Sequence, residues 1–339
     1  MMVIRPVQMD DLDDVFALAG KTGAGLTTLP HSKFHIENKI KDSLAAFEKT
    51  QGSPSDECYL FILQDTETGE VVGTSGVVAS VGSTQPFYTY KLNTEVHYSK
   101  SMDIYRKLNF LTLTNDFTDS SEICTLFLSP DHRGGGNGML LSKCRFLFMA
   151  QFPKRFGERV VAEMRGVSDE SGQSPFWDNV GRHFFGVDFD TADKENGEGN
   201  NQFIAELMPH HPVYVPMLSP EAQAVLGKVH PQTKPAVQML KAEGFRYTGY
   251  VDIFDGGPTI ESPLEEIRTV KESFEIPVEI GEVDRAASTA AIIANTRLLS
   301  FRACLAKLSP PSDNKLTINQ ELADTLLIED GDCVRVRFY

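Results

Sequence analysis

Apolar and polar positions along this chain predict a mixed α+β protein. Residues 3–7 (Val3-Ile-Arg-Pro-Val7) read as a short strand. Leu12, Val15, Phe16, Leu18 and Ala19 then recur at helical spacing, with Asp10 or Asp11 placed to cap that helix. A Gly/Thr-rich stretch at 22–28 leads into a polar amphipathic helix near 33–49. Two β-rich runs, 59–63 and 71–78, flank Asp65-Thr-Glu-Thr-Gly-Glu70, the pattern of a hairpin. Residues 83–101 are aromatic and polar and read as an irregular insertion or another strand. Residues 110–114 and 124–128 read as further strands, followed by a helix rich in Leu, Phe and Met at 139–152.

The second half continues the mixture. Residues 159–167 form a buried strand pattern, and 174–185 a helix with Pro175 in its first turn. Residues 188–202 are polar, a loop or small cap. A short helix at 235–243 ends at Gly244, before a strand at 245–254. Beyond Pro263 a mixed α+β tail ends in an Asp330-Gly331 turn and a strand at 333–338. No long repeat or low-complexity segment interrupts the chain.

The 339 residues are enough for about two domains, or for one elaborated domain with an appendage. Hydrophobic residues make up 41% and charged residues 23%, so the chain can bury a full core. Lys and Arg number 32 against 47 Asp and Glu, a net charge of −15. Such a surface repels phosphate backbones and argues against nucleic acid or an anionic membrane as partner. Five widely spaced cysteines without a CxxC pair suggest neither a disulfide framework nor a zinc ribbon. The first residues lack a charged segment followed by an apolar one, and no apolar run approaches the roughly 20 residues of a membrane span. The cytoplasm is the expected compartment.

The stretch with chemistry is a strand at 124–128, a Gly-rich loop, and a helix opening at Gly138. Such a turn lets backbone amides approach a diphosphate, and the helix dipole favours its charge. A Walker loop would need Lys after the last glycine, but Met139 follows Gly138. A dinucleotide GxGxxG fails too, because Met139 or Leu141 stands where the last glycine belongs. What remains is Arg133-Gly-Gly-Gly136-Asn-Gly138, R-x-x-G-x-G between strand and helix. In this the sequence resembles the GNAT acyl-CoA transferases, as it does in its opening strand and acid-capped helix and in Ser174-Pro-Phe-Trp-Asp-Asn-Val-Gly181. Longer motifs resemble the arginine N-succinyltransferase family within that superfamily. These are Ser121-Glu-Ile-Cys-Thr-Leu-Phe-Leu128, Val161-Ala-Glu-Met-Arg-Gly-Val167, Phe203-Ile-Ala-Glu-Leu-Met208, Val229-His-Pro-Gln-Thr233 and Tyr250-Val-Asp-Ile-Phe-Asp-Gly-Gly-Pro258.

The resemblance implies an α+β GNAT fold: a mixed, twisted sheet flanked by helices and splayed at residues 124–128. A GNAT-like unit would span 1–260, with a smaller α+β segment at 261–339 covering or completing the site. It implies succinyl transfer from succinyl-CoA, a co-substrate and not a resident cofactor, to the α-amine of L-arginine, the first step of arginine catabolism. The family's proton donor matches His230, although a loop-bracing histidine is the plainer reading of the residue alone. Leu126 matches the succinyl-CoA position, where only its backbone can act. Arg133 and the amides of Gly134, Gly136 and Gly138 would meet the diphosphate. Glu163, Glu122, Asp252 and Asp255 are candidates for the arginine guanidinium, and Arg165 for the succinyl carboxylate. Cys124 reads as a core residue, since direct transfer needs no nucleophile. His210-His211 reads as a loop pair, and no metal is expected. Self-association into a homo-oligomer is expected. Two alternatives stay open: an ornithine or other amine acyltransferase, and a non-catalytic CoA-binding partner subunit.

Overall fold

The computed structural model describes residues 1–22, 28–50, 52–169, 173–189, 191–192, 195, 202–209, 211–283 and 288–339. His210 and most of the stretches 22–28 and 188–202 therefore lie outside the described residues. The first three strands, β1 (Met2–Pro6), β2 (Cys58–Asp65) and β3 (Val71–Val78), are antiparallel neighbours, the last two forming the expected hairpin. β2 is apolar without alternation because both of its faces are covered. Leu60 and Ile62 face α1 (Leu12–Ala19) and α2 (Lys33–Glu48) through Val15, Leu18, Ile36 and Ile40. Tyr59, Phe61 and Leu63 face the opposite layer. Asp11 does not cap α1: its carboxylate accepts two bonds from Arg5, at 2.8 and 2.7 Å, and one from the Gln8 amide.

Residues 83–101 resolve into a strand, β4 (Thr89–Ser99), paired along its length with β5 (Ile104–Thr114). β5 starts earlier than expected because the outer half of this hairpin is solvent-exposed and carries no apolar alternation. β6 (Ser121–Leu128) pairs with β3 and leads through the Gly-rich loop into α3 (Asn137–Gln151). Every residue of α3 from Leu140 to Met149 is buried. The Phe148 ring meets those of Tyr59, Phe61, Phe156 and Phe301.

β7 (Arg159–Glu163) lies parallel to β6 and is shorter than the expected 159–167. The chain leaves the sheet where Gly166 packs on Asp255, so closely that a Cβ would stand 2.5 Å from Oδ1. The expected helix at 174–185 is two, Pro175–Asn179 and Gly181–Phe185. They break at Val180, where Gly181 lies against the Trp177 ring. After β8 (Val213–Tyr214) and the helix Lys234–Ala242 comes β9 (Arg246–Val251). β9 stops short of residue 254 because the Asp252 carboxylate accepts the amides of Phe254 and Asp255, turning the chain into β10 (Pro258–Pro263).

The tail adds β11 (Phe274–Ile280), β12 (Thr289–Asn295), β13 (Ala303–Leu308), β14 (Leu316–Ile318) and β15 (Cys333–Phe338). It joins the rest edge to edge, Val3 opposite Cys304 and Ile4 opposite Ala303. Among the described residues the sheet runs β14-β11-β15-β12-β13-β1-β2-β3-β6-β7-β10-β9-β4-β5-β8. Behind it Glu243, 1% exposed, joins three segments: it meets Lys143 of α3 at 2.9 Å, Arg337 of β15 at 3.0 Å and the Thr269 amide at 2.7 Å. The architecture is the one expected: α+β, a mixed sheet with helices on both faces. No helix among the described residues is long and apolar enough to cross a membrane.

Candidate active site

The parallel ladder of β6 and β7 is short. It registers Ser121 with Val160 and Glu122 with Val161, and beyond these pairs a cleft of about 580 Å³ separates the strands. Glu122 to Phe127 form one wall, Ala162 to Arg165 the other, with Asp252, Phe254 and Asp255 beside them. Within β6, Thr125 holds φ at 54°, a left-handed conformation that a β-branched residue adopts only under constraint. The constraint is visible: its carbonyl accepts from Thr74 Oγ1 at 2.9 Å, and its amide donates to Thr28 Oγ1 at 3.1 Å. The register between β3 and β6 shifts at the same place, so β6 bulges where the cleft opens. Leu126 lies on this wall and also packs, half-buried, against the main core.

At the mouth stands Arg133. Gly134, Gly135 and Gly136 follow with φ of 131°, 58° and 88°, conformations that only glycine adopts cheaply. Gly136 caps α3, where the first-turn amides have no partners within the helix. Gly138 has no such backbone need, and a Cβ there would be in ordinary contact with Leu128. The expected diphosphate residues thus come together at one helix N-terminus, the place where helix dipole and open amides favour an anion.

The acidic candidates separate by what their oxygens already do. Asp255 accepts the amides of Gly166 at 2.5 Å and Gly257 at 2.8 Å, and Asp252 is occupied by its own turn. Glu122 and Glu163 line the cleft with no side-chain hydrogen bond or ion pair among the described residues. Burial, then the neighbouring Cys124, pushes Glu122 up to about 8, against the pull of Lys39. Glu163 is driven well above the usual carboxylate range by burial and by Asp252, Glu122 and Asp255. Two crowded acids on facing walls of one cleft favour a cationic ligand between them.

His230 sits half-buried at the rim. Its amide donates to the Arg165 carbonyl at 2.9 Å, and Val229 bridges Gly166, so the β7 exit holds the loop in place. The Gln232 amide donates to Nδ1 at 3.3 Å, which leaves the proton of the neutral ring on Nε2. Burial and the Arg165 charge hold its pKa below the ordinary histidine value. The imidazole itself does not line the cleft, whereas Gln232 and Thr233 just after it do. Arg165 lines the cleft and also bonds Ser168 Oγ at 3.1 Å. Cys124 bonds Cys58 and is buried, both of which drive its thiol far up and keep it protonated.

Sequence reasoning passed over Arg145. It comes from α3, is 2% exposed, and reaches the cleft. The signal was available: one of two basic residues inside the apolar stretch Leu140 to Met149. Its partner in that stretch, Lys143, is paired to Glu243; Arg145 is not paired to any carboxylate among the described residues.

Known proteins match the chain along nearly its whole length. A relative from Enterobacter sp. (strain 638), an arginine N-succinyltransferase, is 48% identical over 99% of this chain and 97% of its own. The arginine N-succinyltransferase of a Yersinia enterocolitica strain is 47% identical with the same coverage. The solved arginine/ornithine succinyltransferase subunit AI from Pseudomonas aeruginosa superposes with a TM-score of 0.91 at 37% identity, covering 100% of this chain and 98% of that one. Family models described as the arginine N-succinyltransferase beta subunit and its C-terminal domain match residues 2–269 and 275–337, and the chain belongs to the arginine N-succinyltransferase family.

Proposed function

We propose that this chain transfers the succinyl group of succinyl-CoA to the α-amine of L-arginine, giving CoA and N2-succinyl-L-arginine, the first step of arginine catabolism. The observation that carries the reading is one cleft with opposite demands at its two parts: an anion-seeking helix N-terminus at Arg133–Gly138 and an unsatisfied acidic wall at Glu122 and Glu163. A polyanionic acyl donor and a cationic amine fit those parts respectively.

In this reading Arg133 and the amides of Gly134, Gly136 and Gly138 hold the diphosphate, and the backbone beside Leu126 lines the acyl arm. Glu122 and Glu163 receive the arginine, with Asp252 behind them fixing the turn and Arg165 holding the His230 loop. Glu163, drawn into its ionised form by the arriving cation, takes the α-ammonium proton, and the free amine attacks the thioester carbonyl carbon. As the carbon–sulfur bond breaks, the departing thiolate takes the second proton of the attacking nitrogen, and the neutral His230 ring donates its Nε2–H to that sulfur as a hydrogen bond. No covalent acyl-enzyme forms, consistent with a Cys124 held as thiol. The unit to about residue 260 carries this chemistry, and residues 261–339 brace α3 from behind. The cytoplasm is the compartment proposed, in keeping with five cysteines that all stand as free thiols.

Thiol release from succinyl-CoA in the presence of L-arginine tests the reading, and its absence at millimolar arginine refutes it. The Pseudomonas aeruginosa structure's description as an arginine/ornithine enzyme favours ornithine as a second reading. A larger kcat/KM for ornithine than for arginine would establish it.

A further inference from the structure

Arg145 has no structural use for its charge. Its Nε donates to the Ser142 carbonyl at 3.0 Å and its Nη2 lies 3.4 Å from Ser142 Oγ, both one turn back on the same helix. Among the described residues Nη1 has no acceptor and no acid pairs with the side chain. A guanidinium stripped of water and left without a counter-ion is costly to the fold. Burial alone pulls it down to about 10. The nearby Phe146 ring, 5.9 Å away, offers weak compensation.

Its position within the cleft identifies what it awaits. Arg145 lies eight residues into α3 from Asn137, roughly 12 Å along the axis. It is therefore well inside the cleft from the loop that would hold the diphosphate. Cys124 of β6 stands close enough to act on it electrostatically, which places it beside the strand at which the cleft opens. Of the other arginines that line the cleft, Arg133 stands at the loop and Arg165 bonds Ser168, and Lys39 beside Cys124 is drawn to Glu122, so a carboxylate arriving there finds in Arg145 a buried cation with no carboxylate partner among the described residues.

We propose that Arg145 binds the terminal carboxylate of the acyl group and selects a dicarboxylic acyl donor over a neutral one. It presents Nη1 and the remaining Nη2 hydrogen, a donor edge suited to a carboxylate. The Ser142 contacts fix the guanidinium in advance. This assignment replaces Arg165, whose guanidinium bonds Ser168 and whose carbonyl is engaged by the His230 loop. It rests on the succinyl-CoA reading above.

The test compares succinyl-CoA with butanoyl-CoA, which has a methyl in place of the carboxylate, in the full-length enzyme and in Arg145→Met. The variant is expected to lose roughly a hundredfold in kcat/KM for succinyl-CoA, the usual scale for removing one member of a buried charge pair. Its kcat/KM for butanoyl-CoA, and inhibition by free CoA, should stay within threefold. Arg145→Gln, which can still donate to the Ser142 carbonyl, serves if the Met variant does not fold. A succinyl-to-butanoyl ratio within threefold of the unaltered enzyme's in the folded variant overturns the assignment. An unaltered enzyme that transfers no succinyl group overturns the function itself, a separate result.

Discussion

The acidic wall can be tested with a ligand that does not react. Glu122 is raised to about 8 by burial and Cys124, so at neutral pH it is mostly a neutral acid. A cation must draw it into its ionised form on binding. With the ionised fraction near 0.09 at pH 7 and near 0.91 at pH 9, the apparent affinity for a guanidinium ligand differs about tenfold between them. Arginine itself confuses the measurement, because its α-amine titrates in this range. Its desamino analogue, 5-guanidinopentanoate, keeps constant charge from pH 7 to 9, so its inhibition constant against arginine reports only groups on the protein. That constant is expected to be about tenfold weaker at pH 7 than at pH 9. Glu122→Gln should flatten the slope and weaken binding at pH 9. A wild-type constant that stays within twofold across the range would show that the ligand does not engage this carboxyl. The sign for folding runs the other way. A carboxyl raised in the folded state stabilises at low pH, and this contribution fades as pH climbs from about 4.5 through about 8. Bound arginine restores it.

Three further outcomes follow from the same geometry. His230→Ala should lower kcat by about 10²–10⁴-fold with little change in either KM, as for loss of a proton-handling group; an unchanged steady-state kcat between pH 6 and 9 would remove its role. Gly136→Ala forces alanine to φ 88° and brings Cβ to 2.6 Å from Leu305 Cδ1. The left-handed strain of about 1–2 kcal/mol should shift the loop and raise the KM for succinyl-CoA roughly tenfold while kcat holds, so a KM within twofold of normal would speak against a diphosphate at this loop. Glu243→Gln strands Lys143, 9% exposed, beside Arg337, 3% exposed, whose remaining ion pair is with Glu272. Urea denaturation should show a loss of about 3–5 kcal/mol, and a loss below about 1 kcal/mol would mean the network does not hold the tail to α3.

Local sequence determined the elements and the anion-binding end of the site. Arg133 to Gly138 is legible because it is contiguous: three left-handed glycines and a helix start lie within six residues, and their backbone requirements show in residue type. The β2–β3 hairpin and the α3 helix were legible for the same reason, since period and turn residues are local properties. Only the tertiary structure decided the rest. It broke the 174–185 helix at Val180 through the packing of Gly181 on Trp177, and it shortened β7 through the approach of Gly166 to Asp255. It also sorted four equivalent-looking acids, consuming Asp252 and Asp255 in backbone turns and leaving Glu122 and Glu163 facing the cleft. Arg145 and Lys143 are two residues apart on one helix, yet one finds Glu243 and the other finds an open cleft. Charge and spacing in sequence say which groups exist. Which of them is desolvated, and whether a partner a hundred residues away satisfies it, is set by packing.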